Sequence, residues 1–293
     1  MRFAGSYVAL ATPFEKDGTL DEAALRRLVR SHLRSGTAGL VSCGSTGEAA
    51  TLTQEEYRRV VVLTLEESRG LLPVIAGVGT NATAKAVEMA REAESLGADA
   101  LLVLSPYYNK PTQEGLYQHF RAVARNTRLP VIVYNIPGRT AVNILPKTLL
   151  RMAADCPNVV AVKEASGNID QVSEIAAGAP RGFAVLSGDD SLTVPMMAVG
   201  AAGVISVVAN VAPRQTAAMC AAALAGDFKK ARGLHLKLFP LIKALFVETS
   251  PIPVKAALEL LGLCGGIPRL PLTPLTAANR PLLRRELAAC GLL

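Results

Sequence analysis

Eight short apolar runs recur along the chain, and no other feature limits its fold as tightly. They are YVALAT (7–12), GLVSC (39–43), PVIAGV (73–78), ALLVLS (100–105), PVIVYN (130–135), VVAVKE (159–164), FAVLSG (183–188) and GVISVV (203–208). The runs are almost continuously apolar rather than alternating, the pattern of parallel strands covered on both faces. Successive runs start 20 to 34 residues apart, enough for one crossover helix each. Eight such units predict an α/β fold of the (β/α)8 TIM-barrel type. A doubly wound open sheet is the alternative, but no Gly-rich dinucleotide fingerprint follows the first run.

Helix signals fit the same frame. Thr53 and Glu56 have capping-box spacing ahead of an apolar run, and Asn81 precedes a helical stretch that stops at Gly97. Four helical stretches follow the eighth run, with breaks at Gly226, Pro251–Pro253 and Gly262–Pro268 and a last helix from about Asn279. One of them completes the barrel. The expected organisation is therefore a catalytic barrel over residues 1–224 and a C-terminal helical region over 225–293 packed on it.

Composition removes several classes of function. Half the residues are hydrophobic and 19% charged, which excludes disorder as the dominant state. No apolar stretch is long enough for a membrane span, and the opening MRFAGSYVALATPFEKDG lacks the layout of a targeting peptide, so a cytoplasmic protein is expected. A net charge of +7 invites a nucleic-acid reading. Against it, Arg26, Arg27, Arg30 and Arg34 are interleaved along a helix that opens with Asp21 and Glu22, and Arg284 and Arg285 stand beside Glu286. Aromatic residues are 4% with no Trp, which leaves little for base stacking. No nucleic-acid or membrane partner is expected. Cys43, Cys156, Cys220, Cys264 and Cys290 never form a CxxC pair, and His32, His119 and His235 are isolated. No metal site or Ser-His-Asp triad is expected from them.

In such a barrel, functional groups stand at the C-terminal ends of the strands. Those positions hold Gly44-Ser45-Thr46-Gly47-Glu48, Tyr107-Tyr108-Asn109, Tyr134-Asn135 followed by Pro137-Gly138-Arg139, Lys163, and Asp189-Asp190. Lys163 lies inside VVAVKEA, and alternation puts it on one face with the small residues Ala161 and Ala165. Desolvation there would yield neutral amine for attack on a carbonyl; the bland reading is a strand-end lysine that snorkels to solvent or pairs with a carboxylate. The tyrosines are either proton carriers or cover for an apolar surface or subunit contact. Arg139 is either a carboxylate clamp or a surface residue; Asp189-Asp190 resembles a metal pair, but with no His nearby turn and capping roles are the expectation.

Together, GSTGEA (44–49), YYNKP (107–111), YNIPGRT (134–140), VKEA (162–165) and PIPVK (251–255) resemble the dihydrodipicolinate synthase family within the pyruvate-dependent class I aldolases, and the resemblance runs from Gly5 to the C-terminus. It implies an enzyme joining pyruvate to L-aspartate 4-semialdehyde through an imine on Lys163, without cofactor or metal. Tyr134 is the implied acid/base, with Thr46 and a Tyr108 donated by a neighbouring subunit completing a proton relay. The implied binding residues are Ser45 and Thr46 for pyruvate, Arg139 for the semialdehyde carboxylate, and Ile205 through its carbonyl. A homotetramer built from tight dimers is also implied. Ser45 stands where the synthases usually carry Thr and N-acetylneuraminate lyases often carry Ser; a sister sugar-acid aldolase is thus the alternative, and a non-catalytic barrel a remoter one. The family's lysine-inhibitor site matches Ala49, Ala50, Gln54, Tyr57, Asn81, Lys85 and Tyr107. Lys85 replaces an acidic residue there, which implies weak or absent feedback inhibition by L-lysine.

Overall fold

The computed structural model describes residues 3–293; Met1 and Arg2, where the expected barrel region and the opening segment begin, lie outside the described residues. Every apolar run forms a strand: β1 Gly5–Ala9, β2 Gly39–Ser42, β3 Val74–Val78, β4 Ala100–Leu104, β5 Val131–Asn135, β6 Val159–Glu164, β7 Ala184–Ser187 and β8 Gly203–Ser206. Each pairs in parallel with the next, and β8 returns to β1, closing a (β/α)8 barrel. The helices between them are α1 Glu22–His32, α2 Gln54–Ser68, α3 Thr83–Ser95, α4 Gln113–Ala124, the single turn α5 Pro137–Thr140, α6 Pro146–Asp155, α7 Ile169–Gly178 and the short α8 Thr193–Ala198. Beyond β8 come α9 Pro213–Leu224, α10 Phe228–Ala244, α11 Ile252–Leu260 and α12 Arg280–Ala289.

The continuous apolar runs have a direct physical reason. Alternate residues of each strand face two different cores. Tyr7, Val41, Ile75, Leu102, Ile132, Ala161, Leu186 and Ile205 fill the barrel interior. Their neighbours Val8, Leu40, Val74, Leu101, Val131, Val162, Val185 and Val204 pack outward against the helices. That outer layer is continuous with Leu238, Leu241, Leu283 and Leu287 of the C-terminal helices. No helix among the described residues is long and apolar enough to cross a membrane.

The bounds of the first strand are corrected. The first strand lies at 5–9 rather than 7–12, because its ladder is set by partners: Gly5 pairs with Gly203 and Tyr7 with Gly39. Leu10–Thr12 falls outside the strand, and the Ala11 N–H donates to Asn210 Oδ1 at 3.0 Å. Asn81 precedes α3, as expected, but leaves the N-cap to Ala82, which makes no side-chain bond. The Asn81 carbonyl accepts from Asn109 Nδ2 at 2.8 Å, tying the loops after β3 and β4 together. The Thr53–Glu56 capping box forms in both directions. Arg26 and Arg30 pair with Glu66 and Glu67 across α1 and α2, and Arg285 with Glu286, so these basic residues belong to ion-paired helix faces.

The seam between β8 and β1 requires a glycine. At Gly203 φ is +157°, and a Cβ there would lie 2.0 Å from the Gly5 carbonyl oxygen. Gly233, inside α10, has open space around it. Gly203→Ala is expected to destabilise the fold by about 3 kcal/mol or more, whereas Gly233→Ala is neutral or stabilises by up to about 1 kcal/mol. Denaturant midpoints of the two variants measure the difference.

Candidate active site

The interior core gives way to polar groups at the C-terminal end of the barrel. Lys163 and Tyr134 are register partners on β6 and β5, and Lys163 Nζ sits 4.1 Å from the Tyr134 ring centroid. Ala161 lines the interior and Ala165 packs against it, so the small face around the amine is present. Gly188 adds to the space: a Cβ there would stand 3.2 Å from Lys163 Cε. Lys163 is 5% exposed, which excludes the snorkelling alternative. Burial lowers its pKa from 10.5 to about 7, while the charge of Asp190 pulls upward and that of Arg139 downward. A large part of the amine is therefore neutral near pH 7.

Tyr134 is buried as well, and burial raises its phenol to about 12, opposed by Arg139 and by a hydrogen bond with the Ser45 hydroxyl. It stays protonated at neutral pH and is available as a proton donor beside the amine. Ser45 and the buried Thr46 ride on the turn after β2. That turn runs between two non-glycine residues in left-handed conformation, Cys43 (φ +52°) and Glu48 (φ +53°). The Glu48 N–H donates to the Ser45 carbonyl at 3.2 Å and the Ala49 N–H to the Gly44 carbonyl at 3.3 Å. Ile205, on β8, is buried in the interior core. Arg139 lies on α5, exposed, and its Nη2 donates to the Ser250 carbonyl at 2.9 Å.

Other candidates are not gathered here within the single chain. Tyr108 is 87% exposed with φ +70°, and Tyr107 is 38% exposed. Ala50 precedes α2, Gln54 opens it and Tyr57 lies in its first turn, and Lys85 is exposed on α3. Gln54 Nε2 donates to Glu92, which Arg58 also pairs, and the buried Tyr57 hydroxyl has no hydrogen-bond partner among the described residues.

Sequence reasoning gave Asp189 and Asp190 turn roles, and they have them. Asp189 Oδ1 accepts from the Ser191 N–H at 2.8 Å, and Asp190 Oδ2 from the Val207 and Val208 N–H groups, both at 2.9 Å. Missed was the electrostatic reach of Asp190 to Lys163. Also missed was the network behind the site. Glu164 accepts from Asn135 Nδ2 at 3.0 Å, Gln171 Nε2 at 3.2 Å and the Ser166 N–H at 2.7 Å. Alternation was the available signal: Asn135 and Glu164 face away from Tyr134 and Lys163, and a polar pair there needs buried partners.

The remaining reactive groups are quiet. All five cysteines are buried and unpaired. Burial pushes His32 and His119 down to about 4, leaving them neutral. Among the described residues no group of three or more His, Cys, Asp or Glu side chains converges as a metal site.

Known proteins are similar to this chain in sequence and in fold. The sequence pattern of the dihydrodipicolinate synthetase family matches residues 2–290. A 4-hydroxy-tetrahydrodipicolinate synthase of Pelobacter propionicus is 50% identical over 291 residues, 99% of this chain and 100% of the relative. The dihydrodipicolinate synthase of Thermotoga maritima superposes with a TM-score of 0.98 at 48% identity, covering 100% of both chains. That of Cyanidioschyzon merolae, with lysine bound, gives 0.97 at 40% identity over 99% of each chain. The chain belongs to the dihydrodipicolinate synthetase family.

Proposed function

We propose that the chain is a 4-hydroxy-tetrahydrodipicolinate synthase, a lyase that condenses pyruvate with L-aspartate 4-semialdehyde. The observation that carries this reading is the buried Lys163 amine, lowered to about 7, beside a phenol that remains protonated. The neutral amine attacks the pyruvate ketone, Tyr134 supplies a proton to the oxygen, and water leaves as the imine forms. Loss of a methyl proton gives an enamine, whose carbon attacks the aldehyde. The amino group of the semialdehyde then adds to the imine carbon and displaces Lys163, closing the ring and freeing the amine.

Both substrates are anions and need fixed cationic or hydrogen-bonding points. The Ser45 and Thr46 turn is assigned to the pyruvate carboxylate and Arg139 to that of the semialdehyde. Arg139 directs one N–H to Ser250, and a guanidinium has five. The Ile205 carbonyl faces the site in this reading. Tyr108, exposed on a left-handed turn, is assigned to the relay of a neighbouring subunit with Thr46 and Tyr134, which requires at least a dimer and fits a homotetramer of tight dimers. The barrel is assigned to residues 1–224, the packed helical region to 225–293, and the enzyme to the cytoplasm. Ser45 favours a second reading, a sister sugar-acid aldolase of the N-acetylneuraminate lyase kind; turnover of aspartate semialdehyde against N-acetylmannosamine decides between them.

Feedback control by L-lysine is proposed to be weak or absent. At the positions matching the inhibitor site (Ala49, Ala50, Gln54, Tyr57, Asn81, Lys85 and Tyr107), Lys85 presents an exposed cation. The carboxylate of Glu92, on the same helix, is engaged by Arg58 and Gln54. A cationic inhibitor would meet like charge.

Borohydride with pyruvate is expected to add a pyruvate-derived mass to the peptide containing Lys163. Because the free amine is the reactant, the initial trapping rate should fall about tenfold per unit below pH 7 and level off above it. A midpoint near the ordinary lysine value would contradict the site's electrostatics. Asp190→Asn removes a nearby charge that raises the Lys163 pKa, so the midpoint should move to lower pH. Half-inhibition by L-lysine is expected only above about 1 mM, binding weaker than about −4.1 kcal/mol; calorimetry or initial rates check it.

A further inference from the structure

Glu48 and Lys255 take no part in the proposed chemistry, yet they meet across 207 residues of chain. Lys255 Nζ donates to Glu48 Oε1 at 2.6 Å, and both side chains are buried. The second carboxylate oxygen accepts the Arg269 N–H at 2.9 Å, and Lys255 Nζ stands 4.2 Å from the Phe14 ring centroid. Each partner is therefore held at one distance and in one direction.

What the pair connects gives it meaning. Glu48 ends the turn that carries Ser45 and Thr46, and its N–H closes that turn on the Ser45 carbonyl. Glu48 and Cys43 keep left-handed backbones that non-glycine residues adopt only where their surroundings over-determine them. Lys255 stands in the first turn of α11, and the buried strap that leads into that turn, residues 250–255, begins at Ser250, whose carbonyl accepts from the Arg139 guanidinium. The strap is thus tied at one end to the Arg139 turn and at the other to the Ser45–Thr46 turn. Apolar side chains of similar volume would fill the same space without desolvating two charges. They would not fix its direction.

We propose that Glu48 and Lys255 are positioning residues: through the strap 250–255, their ion pair sets the spacing between the Ser45–Thr46 turn and Arg139, and hence between the two substrate carboxylates. This rests on the assignment of those residues to the two carboxylates. Displacing a binding group by about 1 Å can cost about 100-fold in rate, so a small slackening of the strap is enough to register.

The test uses Glu48→Asp, which keeps the charge and shortens the arm by one methylene, and the charge-free double variant Glu48→Met/Lys255→Met. A melting scan and steady-state kinetics are run on each. The expected result for Glu48→Asp, and for the double variant where it folds, is a pyruvate KM raised at least tenfold with kcat changed less. A merely structural pair would lower kcat in proportion to folded protein and leave KM alone. Wild-type KM in folded Glu48→Asp therefore overturns the proposal, whatever the double variant does; loss of folding in Glu48→Asp also overturns it, since the pair would then be structural. Borohydride trapping on Lys163 of the wild-type protein is the separate check on the reaction. If trapping fails, the reaction assignment falls; if it succeeds and KM is unmoved, the positioning role alone falls.

Discussion

Removing water from an ammonium group favours its neutral form unless a carboxylate comes close enough to replace the lost hydration. The chain buries two lysines, and burial lowers the pKa of both. Lys255 has Glu48 at 2.6 Å, and the carboxylate opposes the downward pull of burial. Lys163 has the through-space influence of Asp190, partly offset by Arg139, and drops to about 7. One lysine is bound in an ion pair, and the other lies against the ring of Tyr134. The difference lies in what faces each amine, since both are almost completely removed from solvent.

The closed sheet makes this contrast possible. Every strand has an inward and an outward face, and both are dry, so a polar side chain on either must be answered locally. On the inward face, Lys163 is answered sparingly, by the ring of Tyr134 and the space left by Ala161, Ala165 and Gly188. One residue along and outward, Glu164 is fully engaged by Asn135, Gln171 and Ser166. The outward network pins the ends of β5 and β6, and that fixes the inward pair of Tyr134 and Lys163 in register.

Much of this was legible in the residue pattern because its determinants are local. Strands covered on both faces must be apolar throughout, so the eight runs identified themselves. Polar residues that end such runs must lie at the barrel mouth, which singled out Ser45, Thr46, Tyr134, Arg139 and Lys163. What stayed hidden depends on partners far along the chain. The start of β1 follows from the approach of Gly203, and the Asn81 carbonyl accepts from Asn109 on another loop. Asp190 looked like an ordinary turn residue, because its amide partners at Val207 and Val208 and its influence on Lys163 arise only from the closed barrel. The position of Tyr108 is a different case. Its exposure fits a role completed by a second copy of the chain, and no single-chain pattern contains that information.

The long-range ties share a location. Arg139 reaches Ser250, Glu48 reaches Lys255, and Arg269 reaches the carbonyls of Gly18 and Thr51 and the carboxylate of Glu56. All of them join loops around the mouth of the barrel to the segment after α10. Electrostatic stabilisation of charged substrates depends on groups already fixed before the substrate arrives, because reorganising them would consume the binding energy. The sheet alone fixes only what stands on its strands, Lys163 and Tyr134. The groups that would receive the two carboxylates stand on turns, and turns take their rigidity from what they are tied to. The C-terminal segment supplies those ties, which gives a physical reason for a chain that continues well beyond the helix that closes its barrel.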